Sequence, residues 1–420
     1  MMMQTAHVVI GAGYGDEGKG LATDALVRRT GAQLVVRFNG GAQAGHTVVD
    51  DTYGRHVFGH VGAGTFAGAQ TYLAETFIVN PHLLLKELEA LSRQMNTVDL
   101  PFIFASPDCR VSTIFDMALN GLVETLRGAD RHGSCGVGIN ETVTRAEHGH
   151  GLSLDELVRG GRKYARYHLQ DIRNRWIHQR LDMLAISASE AKEAPIFGNL
   201  LFNANLDVFA ETMMLGMSHL SLVDGDDQYL QHYASQGIVL EGAQGLMLDE
   251  DLGHFPHVTR SKTGLPYALR ALNELEFTGT VQPIYMTRSY ATRHGAGPLN
   301  FEGERALTST VHDETNIPND WQGTLRMAPL DVMGLCKAIG GDCLRATKNT
   351  FIDNEKILEP VLGVTWLDVS GNVTIRGMDG ETHTFMNPHD LPSTLSRELG
   401  LKTFIRSYGQ SHQYVRFTDV

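Results

Sequence analysis

Short apolar runs alternate along this chain with longer amphipathic stretches. His7 to Ile10 and Leu34 to Phe38 are compact and rich in β-branched residues, and between them Leu21, Ala25 and Leu26 recur at helical spacing. The opening segment therefore reads as strand, loop, helix, strand, the unit of a parallel sheet. Further buried strands are predicted at Phe102 to Ala105, Gly237 to Leu240, Gln282 to Met286 and Asp342 to Arg345, and long helices at Pro81 to Met95 and Leu154 to Ala185. The stretch from about 150 to 235 is mainly helical and reads as an insertion covering the sheet. The pattern predicts an α/β fold, a large, mostly parallel central sheet flanked by helices, as one domain over residues 1–420.

Composition narrows the class of protein. With 420 residues, 42% of them hydrophobic, the chain can bury a large core. A formal net charge of −13 and the lack of any Lys/Arg-rich run argue against nucleic acid or an anionic membrane as partner. No run of eighteen apolar residues and no leader-like N-terminus occurs, so a soluble, cytoplasmic protein is expected. Cys109, Cys135, Cys336 and Cys343 lack paired spacing and are expected to be reduced thiols. The nineteen histidines include no ligand-spaced cluster, and His148-Gly149-His150 reads as an exposed loop.

The most informative stretch follows the first strand: Gly11-Ala-Gly-Tyr-Gly-Asp-Glu-Gly-Lys-Gly20. Backbone N–H groups of a glycine-rich loop at a helix N-terminus cradle phosphate oxygens, and Lys19 adds a point charge. The P-loop pattern G-x-x-x-x-G-K-[ST] fits from Gly13 to Lys19 and fails at Gly20, which has no hydroxyl for a metal. Asp16 stands inside the cradle instead, where a carboxylate makes sense if a cation or a chemical step needs one. After the second strand, Asn39 to Thr47 sets His46 on a flexible turn beside that loop. Glu241-Gly-Ala-Gln244-Gly follows the strand Gly237 to Leu240, and a side-chain amide there can donate to and accept from a purine edge.

In this order the motifs resemble the adenylosuccinate synthetase family, from residue 7 to near the C-terminus. Gly15-Asp16-Glu17-Gly18-Lys19-Gly20 matches the family's signature loop and Ala44-Gly45-His46-Thr47 its second motif. The run Glu241 to Gly245, the stretch to Thr259, and Ser289 to Pro298 follow its later ones. The resemblance implies a P-loop-related sheet, a homodimer, and a ligase that joins L-aspartate to C6 of a 6-oxopurine nucleotide, usually IMP. A nucleoside triphosphate, usually GTP, drives it with Mg²⁺. It implies that Asp16 takes the N1 proton and binds Mg²⁺ with the Gly45 carbonyl, that His46 stabilises the transferring phosphoryl group, and that Lys19 is catalytic. Gly15, Glu17, Gly18, Lys19, Gly20, Gly45, His46 and Thr47 would hold the triphosphate. Gln43, Ser134, Cys135, Gln244 and Thr259 would join Asp16 around the acceptor nucleotide, and Arg145 would extend across the dimer to the partner's nucleotide. Arg293, Thr324 and Arg326 would hold the amino acid, and Lys348, Asn349, Ser407 and Gly409 the energising base.

This chain also departs from the family's pattern. The Thr-Lys-x-Asp element that reads guanine after a late strand corresponds to Thr347-Lys348-Asn349, and asparagine, with a donor and an acceptor, can pair with adenine. The expectation is GTP selectivity relaxed toward ATP, unless a shifted alignment makes Asp353 the reader. Thr324, in Trp321-Gln-Gly-Thr-Leu-Arg326-Met, replaces an arginine that holds both the amino-acid carboxylate and the ribose 2′-hydroxyl, so a deoxy acceptor is easier to tolerate. Cys135 is a poor phosphate donor, and Arg260 stands where a small residue is usual. Such changes are similar to those of viral 2-aminoadenylosuccinate synthetases, which use dGMP, although that branch often replaces the loop aspartate that is kept here. Three readings follow: a ligase acting on IMP, the same chemistry on dGMP or GMP, and a non-catalytic purine nucleotide-binding regulator.

Overall fold

The computed structural model describes residues 4–194, 196–308, 316 and 322–419. Its centre is a ten-stranded sheet, whose strands we number in chain order: β1 (Thr5–Gly11), β2 (Leu34–Arg37), β3 (Gln70–Leu73), β4 (Ile103–Ala105), β5 (Ser221–Leu222), β6 (Ile238–Glu241), β7 (Thr280–Arg288), β8 (Val361–Thr365), β9 (Lys402–Ser407) and β10 (Val415–Phe417). The spatial order is β10-β9-β8-β7-β1-β6-β2-β3-β4-β5. Every neighbouring pair is parallel except β9 and β10 at one edge.

The central strands are nearly continuous apolar runs because both faces of the sheet are covered. Successive residues of β1 point to opposite faces: Val8 and Ile10 pack with Ala268, Leu269 and Leu335, and Val9 packs with Leu21, Ala25 and Leu26 of helix Lys19–Thr30. That helix begins at Gly18, whose φ of 79° is left-handed, and ends at Gly31, also left-handed. Residues 154–234 are mostly helical, as their pattern predicts, but they also contribute the edge strand β5.

One predicted strand is wrong. Asp342 to Arg345 lies inside helix Val332–Ala346, and the strand in this part of the chain is β8. Asp342 is buried there, accepting from Leu265 N–H at the start of helix Leu265–Glu274 (2.9 Å) and from the Tyr285 hydroxyl (2.9 Å). All four cysteines are free, with Cys109 buried. Among the described residues no helix is long and apolar enough to cross a membrane.

Candidate active site

Six adjacent strands end on the same side of the sheet, and each hands the chain to a loop there. β1 leads to Gly13–Lys19, β2 to Asn39–Gly45, β6 to Gln244, β7 ends at Arg288, β8 leads to Trp366, and β9 to Gly409. The carboxyl edge of a parallel sheet is where an open α/β fold binds ligands. Two clefts open along it. The larger, of about 840 Å³, is bounded by Gln43, Ser134, Gln244, Thr259 and His294. The smaller, of about 140 Å³, is bounded by Gly18, Gly20, Thr47, Trp366, Asp368 and Ser407. Asp16, Lys19, Gly45 and His46 line both and form their common wall.

Gly20 explains its own departure from the P-loop pattern. A Cβ at this position would lie 2.9 Å from the Cβ of His46 and 3.0 Å from its backbone, so the absent side chain lets the two loops close on each other. His46 is not on a flexible turn: it is the first residue of a strand, His46–Asp50, paired with Gly54–Phe58, and is buried. Its Nδ1 lies 2.6 Å from Oε1 of Glu241, the last residue of β6. Glu241 also accepts from Ala63 N–H (3.0 Å) and faces Arg37 (3.7 Å). Burial resists ionisation of the carboxyl, but His46 and Arg37 hold it below the usual carboxylate range. Burial pushes the His46 imidazole down against the pull of Glu241, leaving a ring oriented through Nδ1 with Nε2 free for ligand.

Asp16 has a left-handed φ of 64°, a strained conformation for a residue with a side chain. Arg288 Nε donates to its carbonyl. Its carboxylate Oδ2 lies 2.9 Å from Nε2 of His294, which also lies 2.8 Å from Oδ1 of Asn316. Burial alone would raise the carboxyl, but the His294 contact, with Arg288 and Lys19 near, brings it down to about 2. Glu17 turns inward instead of toward a ligand: it accepts from Gly13 N–H (3.1 Å), Gly15 N–H (2.8 Å) and Lys19 Nζ (2.7 Å), and it lines neither of the two clefts. Any phosphate contact of Glu17 is left to its backbone. Of these two clefts Gly15 borders the larger.

The larger cleft carries buried polar atoms without protein partners: both amide atoms of Gln43, Oε1 of Gln244, and Nδ1 of His257 and of His294. Thr47 Oγ1 is a further such atom in the smaller cleft. Unpaired buried polar groups are costly, and those facing these clefts are placed to be satisfied by a polar ligand. Ser134 Oγ is hydrogen bonded to Asn120 Oδ1 (2.7 Å), while the N–H groups of Gly133 and Ser134 donate to Glu124. Cys135 lies exposed in the same wall.

Comparison with known proteins bears on this geometry. Residues 8–321 match the adenylosuccinate synthetase family model. The chain belongs to the adenylosuccinate synthetase family. The adenylosuccinate synthetase of Dichelobacter nodosus is 31% identical over 70% of this chain and 64% of its own length, and that of Acaryochloris marina 29% identical over 74% and 64%. The matched region thus spans less than two thirds of these relatives' length. Among solved structures, the fully ligated adenylosuccinate synthetase of Plasmodium falciparum superposes with a TM-score of 0.71 at 17% identity, over 98% of this chain and 99% of that one. The succinoaminodeoxyadenylate synthetase of cyanophage S-2L, bound to dGMP and to dATP as an energy donor, gives 0.55 at 14% identity, over 100% and 96%. Both share the fold.

Several residues that the adenylosuccinate synthetase pattern suggested are not brought to either cleft. Lys348 and Asn349 follow the C-terminus of helix Val332–Ala346; the Asn349 side chain accepts from Phe351 N–H and Ile352 N–H (both 2.9 Å) and donates to Ala346 O (2.7 Å), closing a local turn. Asp353 is exposed before a short helical turn and lines neither cleft. The element that follows a late strand is Thr365-Trp366-Leu367-Asp368, after β8, and Thr365, Trp366 and Asp368 line the smaller cleft with Ser407 and Gly409. Arg145 does not reach outward. It is fully buried, its guanidinium bound to Asp116 (2.8 and 3.0 Å) and to the carbonyls of Val111 and His150.

The amino-acid group fares similarly. Thr324 is exposed, and Arg326 is paired with Glu302 and donates to Gly295 O (2.8 Å) and Gly297 O (2.9 Å). Arg293 lines the larger cleft, but it donates to Ala296 O, Pro298 O and His257 O, with its guanidinium 4.5 Å from the Tyr14 ring centroid. Trp321 lies outside the described residues. Glu241 and His294, quoted only within motifs, and Arg288, Trp366 and Asp368 had no role assigned from the sequence. A charged residue closing the apolar run of β6 was a usable signal for Glu241; the contact of His294 with Asp16 had none.

Proposed function

We propose that this chain is a ligase that condenses L-aspartate with C6 of a 6-oxopurine nucleoside monophosphate through a 6-phosphoryl intermediate, driven by a nucleoside triphosphate. The observation that carries this reading is the common wall. A carboxylate and an imidazole, each fixed by a second side chain, stand with Lys19 where a purine in the larger cleft meets a triphosphate in the smaller one. A lactam oxygen is a poor nucleophile and hydroxide a poor leaving group, so O6 must be phosphorylated before an amine can displace it. Asp16, ionised in the free protein, accepts the N1–H hydrogen bond and takes the proton as O6 attacks phosphorus. His46, taking a proton from solvent when anionic phosphate binds beside it, donates from Nε2 to the charge developing on the phosphoryl oxygens, with Glu241 accepting from Nδ1 and stabilising that imidazolium. Lys19 and the amides of Gly18 and Gly20 hold the phosphates in line. A non-catalytic regulator would need neither group held in this way.

The triphosphate base is best read as guanine. Adenine acceptance rested on Asn349, which is turned away, whereas Asp368 puts an acceptor-only carboxylate in the smaller cleft to match the N1–H and 2-amino donors of guanine. The site fits Mg²⁺. Asp16, ionised, and the Gly45 carbonyl would offer hard oxygen ligands on the wall that faces the triphosphate cleft, and Mg²⁺ would complete its shell with phosphate oxygens. When bound, the ion neutralises phosphate charge. A homodimer is proposed from family membership alone, since Arg145 is internal.

The test is a matrix of ATP, GTP and dATP against IMP, dIMP, GMP and dGMP, each with L-aspartate, read by phosphate release and product mass. Aspartate-dependent phosphate release is expected with at least one acceptor, fastest with GTP. In Asp16→Ala and His46→Ala it should vanish while nucleotide binding persists. Silence across the whole matrix would defeat the ligase reading.

A further inference from the structure

We infer that Arg260 is the cation that receives the acceptor's 5′-phosphate, and that Glu147 occupies its guanidinium until the nucleotide arrives, so that acceptor binding exchanges one anion for another. This rests on the ligase reading above and deepens it, naming a binding residue and its internal competitor. With O6 at the wall shared by the two clefts, the 5′-phosphate at the other end of the nucleotide lies away from that wall. Arg260, Glu147 and Glu250 are placed for that end: all three line the larger cleft and none lines the smaller one. Thr259, next to Arg260, borders the same cleft.

The lysine and arginine side chains of this cleft differ in what each would leave behind on turning to a phosphate. Lys19 stands on the shared wall, 2.7 Å from Glu17. Arg180 forks onto Glu141 (2.7 and 2.9 Å) and Arg127 reaches Glu124 (2.8 Å); those carboxylates are 4% and 3% exposed, so drawing either arginine away strands a buried charge. Arg293 has its guanidinium occupied by three carbonyls. Glu147, in contrast, is 47% exposed, so water takes over when Arg260 leaves it, and ion pairs of that exposure are weak. Arg260 Nη2 and Nη1 grip Glu147 at 2.5 and 3.3 Å, a two-pronged contact that phosphate oxygens can match. The loop holds the arginine in place through the exchange: Thr259 N–H donates to Leu248 O (2.9 Å), Glu250 N–H to Ser261 O (3.3 Å), and Arg260 Nε to Glu250 Oε1 (3.1 Å).

The experiment measures Kd by calorimetry for IMP, dIMP, GMP, dGMP and GTP, in the wild type and in Arg260→Gln, Glu147→Gln and Arg127→Gln. Binding is read without aspartate or turnover, so a failure here and a failure of the ligase reading in the activity matrix are separate results. Arg260→Gln should weaken each monophosphate that the wild type binds by about 10- to 100-fold, the cost of losing a hydrogen bond between charged groups, and leave GTP unchanged. Glu147→Gln should tighten the same monophosphates about two- to fivefold, a gain that misfolding cannot produce, while Arg127→Gln should stay within about twofold of the wild type. Wild-type affinity in Arg260→Gln would overturn the inference. So would a Glu147→Gln variant that fails to tighten binding, since the ion pair would then only tie the loop to the neighbouring turn. A loss in Arg127→Gln as large as that expected of Arg260→Gln would move the phosphate to Arg127, and a wild type that binds no monophosphate would defeat this inference and the ligase reading together.

Discussion

At the scale of single residues, the common wall depends on side chains that never meet substrate. Glu241 is the clearest: fully buried, it fixes the His46 ring from a position 195 residues away in the chain. Glu241→Gln removes the charge that stabilises an imidazolium while nearly keeping volume. We expect kcat to fall about 10- to 100-fold, the usual cost of losing an orienting partner, with KM for both nucleotides nearly unchanged. Steady-state kinetics on a variant with wild-type far-ultraviolet circular dichroism checks this. An unchanged kcat would mean that the ring is oriented by packing alone. The glycine-rich loop and the Gly45-His46 pair were legible as sequence because their chemistry is local. The contacts of Glu241 with His46 and of His294 with Asp16 were not, because only the folded sheet brings them beside residues near the N-terminus.

At the scale of elements, the loop from β1 and the strand His46–Asp50 meet at Gly20. Gly20→Ala places a methyl 2.9 Å from the His46 Cβ with backbone beside it, so neither neighbour can swing aside. Overpacking of this kind costs about 1–3 kcal/mol. A fall of that size in unfolding free energy is expected from urea titration, together with a loss of turnover as the imidazole is displaced. The strand, loop, helix, strand opening was readable because its apolar runs are bounded by glycine and charge. Asp342 to Arg345 was misread since its apolar part, Cys343-Leu344, is too short to distinguish a strand from a helical turn. β8 was missed, its run being broken by Gly363, where a Cβ would lie 2.2 Å from Met286 Sδ. With β8 unread, the base-reading element was sought at Thr347-Lys348-Asn349 and not at the end of β8, where our proposal puts it.

At the scale of the whole molecule, buried ionisable groups away from the clefts set how stability responds to pH. Burial, aided by Arg29 and Lys86 respectively, pushes His7 and His82 down to about 4. Both rings are neutral in the fold, so stability is retained above their ordinary value of 6.5 and lost as pH falls from there toward 4. Glu274 runs the other way. Burial pushes its carboxyl up to about 7 from 4.5, so the folded state is penalised progressively as pH rises across that interval. Among these three groups the two histidines outweigh the one carboxyl below 6.5, and Glu274 alone titrates above it. Glu274→Gln should therefore raise the urea midpoint at pH 8 while leaving it almost unchanged at pH 4. A variant no more stable than the wild type at pH 8 would show that Glu274 ionises freely.

One consequence of the shared wall reaches beyond any single group. Because the same four residues face two ligands, neither nucleotide can settle without altering the electrostatic field and the mobility felt by the other. Thermodynamic linkage then requires reciprocity: by whatever factor the triphosphate sharpens the grip on the monophosphate, the monophosphate sharpens the grip on the triphosphate.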